Sequence, residues 1–120
     1  MECERILIIE DEPDLRETMC DLLELEGYAV ASAANGLEGL AALEEAGPPC
    51  LILLDLMMPE MDGWQFLEAL RDRPGLAIVV VSAIADLSDV ADRYGCEVLK
   101  KPVKIEQLLA LAQSHCDSRR

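Results

Sequence analysis

Three short apolar runs constrain the fold more than any other feature of this sequence. Each has four aliphatic residues in a row: 6–9 (Ile-Leu-Ile-Ile), 51–54 (Leu-Ile-Leu-Leu) and 78–81 (Ile-Val-Val-Val). A strand with one face in water alternates apolar and polar residues, whereas a strand covered on both faces does not. The runs therefore predict strands inside a parallel sheet. Two more polar segments, 28–32 and 97–100, are weaker strand candidates.

Segments with helical spacing lie between these strands, so that strand and helix alternate five times. The first helix begins near Pro13 and is closed by Gly27, residues typical of helix starts and ends. The next ones are expected from Asn35-Gly36, over about 63–72 and about 86–94, with a last helix whose inner face is Ile105, Leu108, Leu109 and Ala112. This alternation predicts a three-layer α/β sandwich with parallel strands and right-handed crossovers. The periodicity does not give the strand order.

Length and charge narrow the class of protein. At 120 residues we expect one domain over 1–120, with a polar end from about residue 114. Twenty-four acidic and ten basic residues give a formal net charge of −14, which argues against direct binding of nucleic acid. The sequence shows neither a signal peptide nor an apolar stretch of membrane-spanning length. We therefore expect a cytoplasmic protein that does not contact the membrane.

The five cysteines are scattered and show no metal-ligand spacing. We interpret them as small buried apolar residues in a reducing compartment. We expect His115, near the polar end, to be solvated.

Polar residues follow the ends of four predicted strands. Glu10 and Asp11 follow the first strand, Asp55 the third, Ser82 the fourth and Lys101 the fifth. In open α/β sheets the loops at the carboxyl ends of the strands converge and form the binding site. Clustered carboxylates favour a divalent cation, while an ammonium and a hydroxyl suit a phosphate group. Each residue alone is an ordinary turn residue, but together they predict one site.

Four motifs resemble the receiver domain of bacterial response regulators, of which CheY is the minimal example. They are Ile-Ile-Glu-Asp-Glu-Pro (8–13), Leu-Leu-Asp-Leu-Met-Met-Pro-Glu-Met-Asp-Gly (53–63), Val-Ser-Ala (81–83) and Lys-Lys-Pro (100–102). The resemblance covers nearly the whole chain. It implies a flavodoxin-like fold with strand order 2-1-3-4-5 and five helices. It also implies a histidine kinase or histidine phosphotransfer protein as phosphoryl donor, and a downstream protein target or output domain as receiver of the signal.

The resemblance further implies a phosphoacceptor and a metal site. Asp55 would accept the phosphoryl group. Asp11 and Asp55 would bind Mg²⁺ directly, with Mn²⁺ as an alternative. The backbone carbonyl of Met57 would complete the set of protein ligands, and Glu10 would act through a bound water.

The remaining implied roles concern the switch that follows phosphorylation. Ser82 would donate a hydrogen bond to the phosphoryl group, and Lys101 would pair with it. The Lys101–Pro102 peptide bond is expected to be cis. The family usually has Tyr or Phe four residues before this proline, where this chain has Val98. Because a valine side chain has only its χ1 angle to change, we expect no large aromatic gate here.

Two apolar residues are expected to modulate the lifetime of the phosphorylated state. Met57 and Ile84 stand two residues after Asp55 and Ser82, respectively. Apolar side chains at these positions should hinder the water molecule that would hydrolyse the acyl phosphate on Asp55. We therefore expect slow autodephosphorylation.

Other functions stay open at this point. A stand-alone aspartyl-phosphate phosphohydrolase usually needs a second acid where this chain has Met57. A pseudo-receiver, which binds partners without taking phosphate, usually lacks an acidic residue, the acceptor or the lysine, and all of these are present. The chain could also be one receiver cut from a longer regulator, acting as a monomer or as a phosphorylation-dependent dimer. We expect a signalling switch rather than an enzyme.

Overall fold

Five parallel strands form a single sheet in the computed structural model, which describes residues 5–46, 49–56, 63–70, 77–83 and 96–116. The strands are β1 (Arg5–Ile9), β2 (Ala29–Ala33), β3 (Leu51–Leu54), β4 (Ile78–Ser82) and β5 (Glu97–Lys100). Their order is β2-β1-β3-β4-β5. The predicted flavodoxin-like order is therefore confirmed. β2 is shifted by one residue from the segment predicted as 28–32.

Four helices are described: α1 (Pro13–Leu25), α2 (Gly36–Ala46), α3 (Gly63–Ala69) and α4 (Ile105–Cys116). The helix predicted over about 86–94 lies outside the described residues. The third helix ends at Ala69, earlier than the predicted end near Asp72, and the Leu70 N–H donates to the carbonyls of both Phe66 and Leu67 at 3.2 Å. This shared bond is typical of a tightened last helical turn. None of the four described helices is long and apolar enough to cross a membrane.

Alternate residues of the central strands point to opposite faces of the sheet and create two apolar layers. On one face, Leu7, Ile9, Ile52, Leu54 and Val80 pack with residues of α2 and α3. On the other face, Ile6, Ile8, Leu51, Leu53, Val79 and Val81 pack with residues of α1 and α4. This arrangement confirms the predicted three layers. Since β1, β3 and β4 are covered on both sides, they have the continuous apolar sequences noted above.

The edge strands explain the two weaker strand candidates. β2 and β5 each pair with one neighbour only, and their side chains are mostly half-buried or exposed. A half-buried strand needs fewer aliphatic residues, so its sequence gives a weaker signal. The existence of both strands was predicted, but only the pairing pattern explains their polarity.

Gly27 and Gly63 occupy positions where a side chain would be strained or would clash. Gly27 has a φ of 97° and ends α1, with the Tyr28 N–H donating to the Leu23 carbonyl at 3.1 Å. This is the left-handed helix end that glycine favours. At Gly63, a Cβ atom would lie 2.6 Å from the Asp55 carbonyl oxygen and from the Leu56 Cα. The first residue of α3 thus packs directly on the backbone that carries Asp55.

The cysteines differ from the sequence interpretation. Cys50, just before β3, forms a disulfide with Cys116, the last residue of α4; their Cα atoms are 5.4 Å apart and their sequence separation is 66. Among the described residues, Cys20 and Cys96 are free thiols. The interpretation was wrong for the bonded pair because their proximity arises only when α4 packs against the sheet. The cysteine pattern consequently no longer indicates a reducing compartment.

The end of α4 makes a second contact that sequence reasoning missed. His115 was expected to be solvated, yet its Nε2 atom lies 3.0 Å from Glu97 Oε1 at the start of β5. Its side chain is only 27% exposed. Glu97 and His115 come together because the start of β5 and the last turn of α4 lie at the same end of the sheet.

The disulfide makes a testable prediction about thiol counts and stability. Alkylation of denatured, unreduced protein should attach two fewer groups than alkylation after reduction. Cys50→Ala combined with Cys116→Ala should lower the free energy of unfolding by about 2–4 kcal/mol, because the crosslink closes a long loop in the unfolded chain. The measurements are intact mass and urea denaturation, with Cys96→Ala as control. Equal label counts before and after reduction would disprove the pairing.

Candidate functional site

Backbone hydrogen bonds extend the sheet one residue beyond three of its strands. The Glu10 N–H donates to the Ala33 carbonyl at 3.0 Å, and the Asp55 N–H donates to the Ile9 carbonyl at 3.0 Å. The Lys101 N–H donates to the Ser82 carbonyl at 2.9 Å. These bonds fix the first residues after β1, β3 and β5 to the neighbouring strand. The polar residues predicted at the strand ends are therefore brought together at one edge of the sheet.

Three carboxylates form the centre of this edge. One oxygen each of Glu10, Asp11 and Asp55 lies within 4.8 Å of the other two. Glu10 and Asp55 are only 3% and 5% exposed, while Asp11 is half-buried. Like charges at this separation repel, and the repulsion is strong where water is excluded.

Lys101 supplies positive charge to the cluster. Its Nζ atom lies 3.0 Å from Glu10 Oε1 and 3.3 Å from Asp55 Oδ2. Three ionised carboxylates and one ammonium still leave a formal charge of −2. An oxygen-ligated divalent cation would balance that charge, and a set of carboxylate oxygens is the donor type that hard cations prefer. The residues present thus fit a divalent metal ion.

The pKa values of Glu10 and Lys101 reflect this shortage of positive charge. Burial raises the pKa of Glu10, and the Asp55 charge adds to that shift, although hydrogen bonds from Lys101 and the Glu12 N–H oppose it. Burial alone would lower the pKa of Lys101. The hydrogen bond to Glu10 and the charges of Asp55 and Glu10 outweigh burial, so the pKa of Lys101 is raised. One ammonium is therefore shared by two buried carboxylates, and it does not remove the cost of ionising Glu10.

The other predicted site residues that the structure describes lie on β4, on β5 and directly after β5. Ser82, the last residue of β4, is buried, and its carbonyl binds the Lys101 N–H. Val98 is half-buried on β5, pairs with Val80 and packs against the core layer on the side of α2 and α3. The Lys101–Pro102 bond is cis, as expected. Met57 and Ile84 lie outside the described residues.

Two contacts to Glu10 were missing from the sequence prediction. The Glu12 N–H donates to Glu10 Oε2 at 3.1 Å. Arg16 Nη1 donates to the Glu10 backbone carbonyl at 2.7 Å. The available signal was the position of Arg16, one helical turn after an acidic segment, but sequence spacing does not show which acceptor a guanidinium will reach.

Comparison with known proteins identifies the family. The sequence profile described as the response regulator receiver domain matches residues 6–113. The chain belongs to this family. Receiver domains act in two-component signalling, and the acidic cluster with its lysine is formed by residues of three of the receiver motifs of this chain.

Individual relatives and structures agree with this assignment. The chain is 37% identical over 114 residues to the DNA-binding response regulator MtrA of Mycolicibacterium smegmatis, covering 89% of this chain and 48% of that protein. It thus spans about half the length of this DNA-binding relative. It is also 37% identical to an uncharacterised 14.6 kDa protein of Leptolyngbya boryana, covering 92% of this chain and 88% of that one.

A solved structure confirms the fold of the receiver. The CheY-like receiver domain protein of Methanospirillum hungatei JF-1 superposes with a TM-score of 0.85 at 33% sequence identity. The match covers 98% of this chain and 97% of that one. The likeness thus extends over the whole sheet and its covering helices.

The pKa of Glu10 leads to a prediction about stability without metal. Because its pKa is raised above the ordinary 4.5, the folded state holds the Glu10 proton more tightly than the unfolded chain does. Ionisation of Glu10 therefore lowers the free energy of unfolding as the pH rises from about 4.5 through the raised value. Glu10→Gln should remove this loss, so we expect the metal-free variant to be more stable than the parent at pH 7.

Urea denaturation in EDTA between pH 4.5 and 8 measures this effect, with Glu24→Gln on the exposed side of α1 as matched control. An unchanged or lower urea midpoint for Glu10→Gln at pH 7 would contradict the prediction.

Proposed function

We propose that this receiver accepts a phosphoryl group on Asp55 from a phosphohistidine of a kinase or phosphotransfer protein. The observation that carries the proposal is the Asp55 carboxylate itself: it is buried in a three-carboxylate cluster, with its Oδ2 atom 3.3 Å from the ammonium of Lys101. An Asp55 oxygen attacks the phosphorus, the phosphorus–nitrogen bond to the donor imidazole breaks, and the imidazole leaves with the bonding electron pair. The product is an acyl phosphate on Asp55.

The neighbouring side chains have distinct tasks in this transfer. Lys101 balances negative charge on the phosphoryl oxygens, and the Ser82 hydroxyl donates a hydrogen bond to the product. Glu10, Asp11, Asp55 and the Met57 carbonyl would hold Mg²⁺ or Mn²⁺. When bound, the ion supplies the positive charge that the cluster lacks. Positioning and charge balance then account for the catalysis, without a separate acid or base.

Phosphorylation adds charge beside the ends of β4 and β5, and this change carries the signal. Ser82 and Lys101 are joined by a 2.9 Å backbone hydrogen bond, so a shift of one displaces the other. Val98 packs nearby on β5 and takes the place of the usual aromatic switch residue. The conformational change is therefore a small shift of β4 and β5 rather than the rotation of a large ring.

The donor protein docks where the site opens to solvent. An apolar cleft of about 410 Å³ lies beside Lys101, lined by side chains of α1, the end of β4 and the segment after β5 (Leu15, Met19, Val81, Ala83, Pro102 and Val103). An apolar side chain next to the phosphohistidine on the donor fits this cleft. The kinase or phosphotransfer protein thus binds over α1 and the cis-proline segment.

The signal passes to a downstream protein or an attached output domain. The relative MtrA is a DNA-binding response regulator of about twice the matched length. The net charge of −14 argues against direct DNA binding by this chain, because such a surface repels the phosphate backbone. We further propose that residues 1–120 act as one receiver domain in the cytoplasm, as a monomer or a phosphorylation-dependent dimer, and as a switch rather than a stand-alone enzyme.

Phosphorylation by a small donor tests the proposal directly. Acetyl phosphate should add one phosphoryl group to the receiver in the presence of Mg²⁺, and none after EDTA, because the metal balances charge during transfer. Asp55→Asn should take no phosphoryl group, whereas Asp14→Asn, an exposed residue of α1, should behave as the parent. Intact mass reads the result. No gain in mass for the parent under any condition would mean that the protein is a pseudo-receiver.

The lifetime of the phosphorylated form gives a second test. Met57 and Ile84 are apolar at positions two residues after the acceptor and Ser82, where we propose that they exclude the attacking water. Met57→Asn combined with Ile84→Glu should shorten the half-life of the phosphoryl group about 10-fold or more, within the range of positioned polar groups that orient water. The half-life is followed by intact mass after removal of acetyl phosphate. An unchanged or longer half-life would disprove this role.

A further inference from the structure

The side chain of Arg16 joins the start of α1 to the acidic site. Its Nη1 atom donates a 2.7 Å hydrogen bond to the backbone carbonyl of Glu10. Arg16 is anchored within the first turn of the helix, where its own N–H donates to the Glu12 carbonyl at 2.9 Å. It is the only basic residue of α1. A charged donor at this short distance makes a stronger hydrogen bond than a neutral one.

The accepting carbonyl belongs to the peptide group that links Glu10 to Asp11. A peptide group is planar, so fixing its carbonyl also fixes the direction in which the chain enters Asp11. The other polar groups of Glu10 are held as well. Its N–H donates to Ala33, and its carboxylate accepts from Lys101 at 3.0 Å and from a backbone N–H at 3.1 Å. With the bond from Arg16, the N–H, the carboxylate and the carbonyl of Glu10 are all hydrogen-bonded, and together these bonds fix the orientation of this residue.

We propose that Arg16 is a positioning residue for the metal site. By holding the Glu10–Asp11 peptide, it keeps the two neighbouring carboxylates together with Asp55, against their mutual repulsion. The assignment rests on the proposed function, since it assumes that this cluster binds Mg²⁺. Groups that orient metal ligands typically change metal affinity 10–100-fold when they are lost.

Electrostatics alone predicts the opposite sign, and this makes the role testable. The guanidinium carries a permanent positive charge next to a site that binds a cation. If charge were its only influence, removing Arg16 would strengthen Mg²⁺ binding. If the residue only stabilised the helix, its removal would lower the free energy of unfolding and leave the affinity of the folded protein unchanged. Only positioning predicts weaker binding.

Isothermal titration of the unphosphorylated protein with Mg²⁺ at physiological ionic strength decides between these outcomes. Arg16→Ala should bind Mg²⁺ about 10-fold more weakly than the parent. Lys104→Gln, an exposed residue after β5, removes a positive charge elsewhere and should bind as the parent does. Arg16→Lys keeps the charge and a single donor nitrogen, and should recover part of the affinity. Urea denaturation establishes that each variant is folded. If Arg16→Ala does not fold, Arg16→Lys still tests the proposal.

Unchanged or tighter binding by Arg16→Ala would overturn the assignment, as would a loss of affinity in Lys104→Gln of the same size. No binding by the parent would remove the metal site together with the role of Arg16. The proposed function can be separated from this result, because the titration involves no phosphoryl transfer. A parent that binds Mg²⁺ but takes no phosphate would disprove the acceptor role of Asp55 and leave the Arg16 experiment intact.

Discussion

The electrostatic repulsion among Glu10, Asp11 and Asp55 is the constraint on which the rest of this structure depends. Two of these carboxylates are almost completely buried, and the ammonium of Lys101 lies close to both of them. A flexible chain would separate them. Here they follow directly after β1 and β3, the two neighbouring strands at the centre of the sheet, whose backbones are hydrogen-bonded on both sides. The apolar layers over these strands supply the stability that holds the charges together, so the core serves the site directly.

Stability and function are divided between the two ends of the same strand. β3 begins just after Cys50, which is crosslinked to the end of α4, and it ends just before Asp55. Cys50 and Asp55 flank this four-residue strand, so they are separated by roughly 16 Å at about 3.3 Å per residue. The Cys50 end is covalently fixed, whereas the Asp55 end carries excess negative charge. We propose that this end accepts further negative charge on Asp55, so a crosslink at the opposite end stabilises the strand without disturbing the charged cluster.

The sequence predicted those features that depend on local pattern or on the ends of strands. The unbroken runs of β1, β3 and β4 were predicted because burial on both faces requires them, and Asp55 and Lys101 were predicted because parallel strands bring their carboxyl ends to one edge. The partners of Cys50, His115 and Arg16 were not predicted. Each of these contacts depends on how far a helix lies along the sheet, and that distance is set by packing rather than by periodicity. The strand order came from the family resemblance, since alternation of strands and helices allows several orders.

The position of Val98 follows from the difference between central and edge strands. A switch must move at a free-energy cost that phosphorylation can supply, and β1 and β3 are too deeply packed to move cheaply. β5 pairs on one side only, and its residues are exposed or half-buried. It is also the strand that leads into Lys101, whose N–H binds the Ser82 carbonyl on β4. A displacement of Ser82 or Lys101 toward a phosphoryl group would thus pull on an edge strand of the sheet. We therefore propose that a shift of the backbone carries the signal in this strand, so that a side chain as small as valine is sufficient.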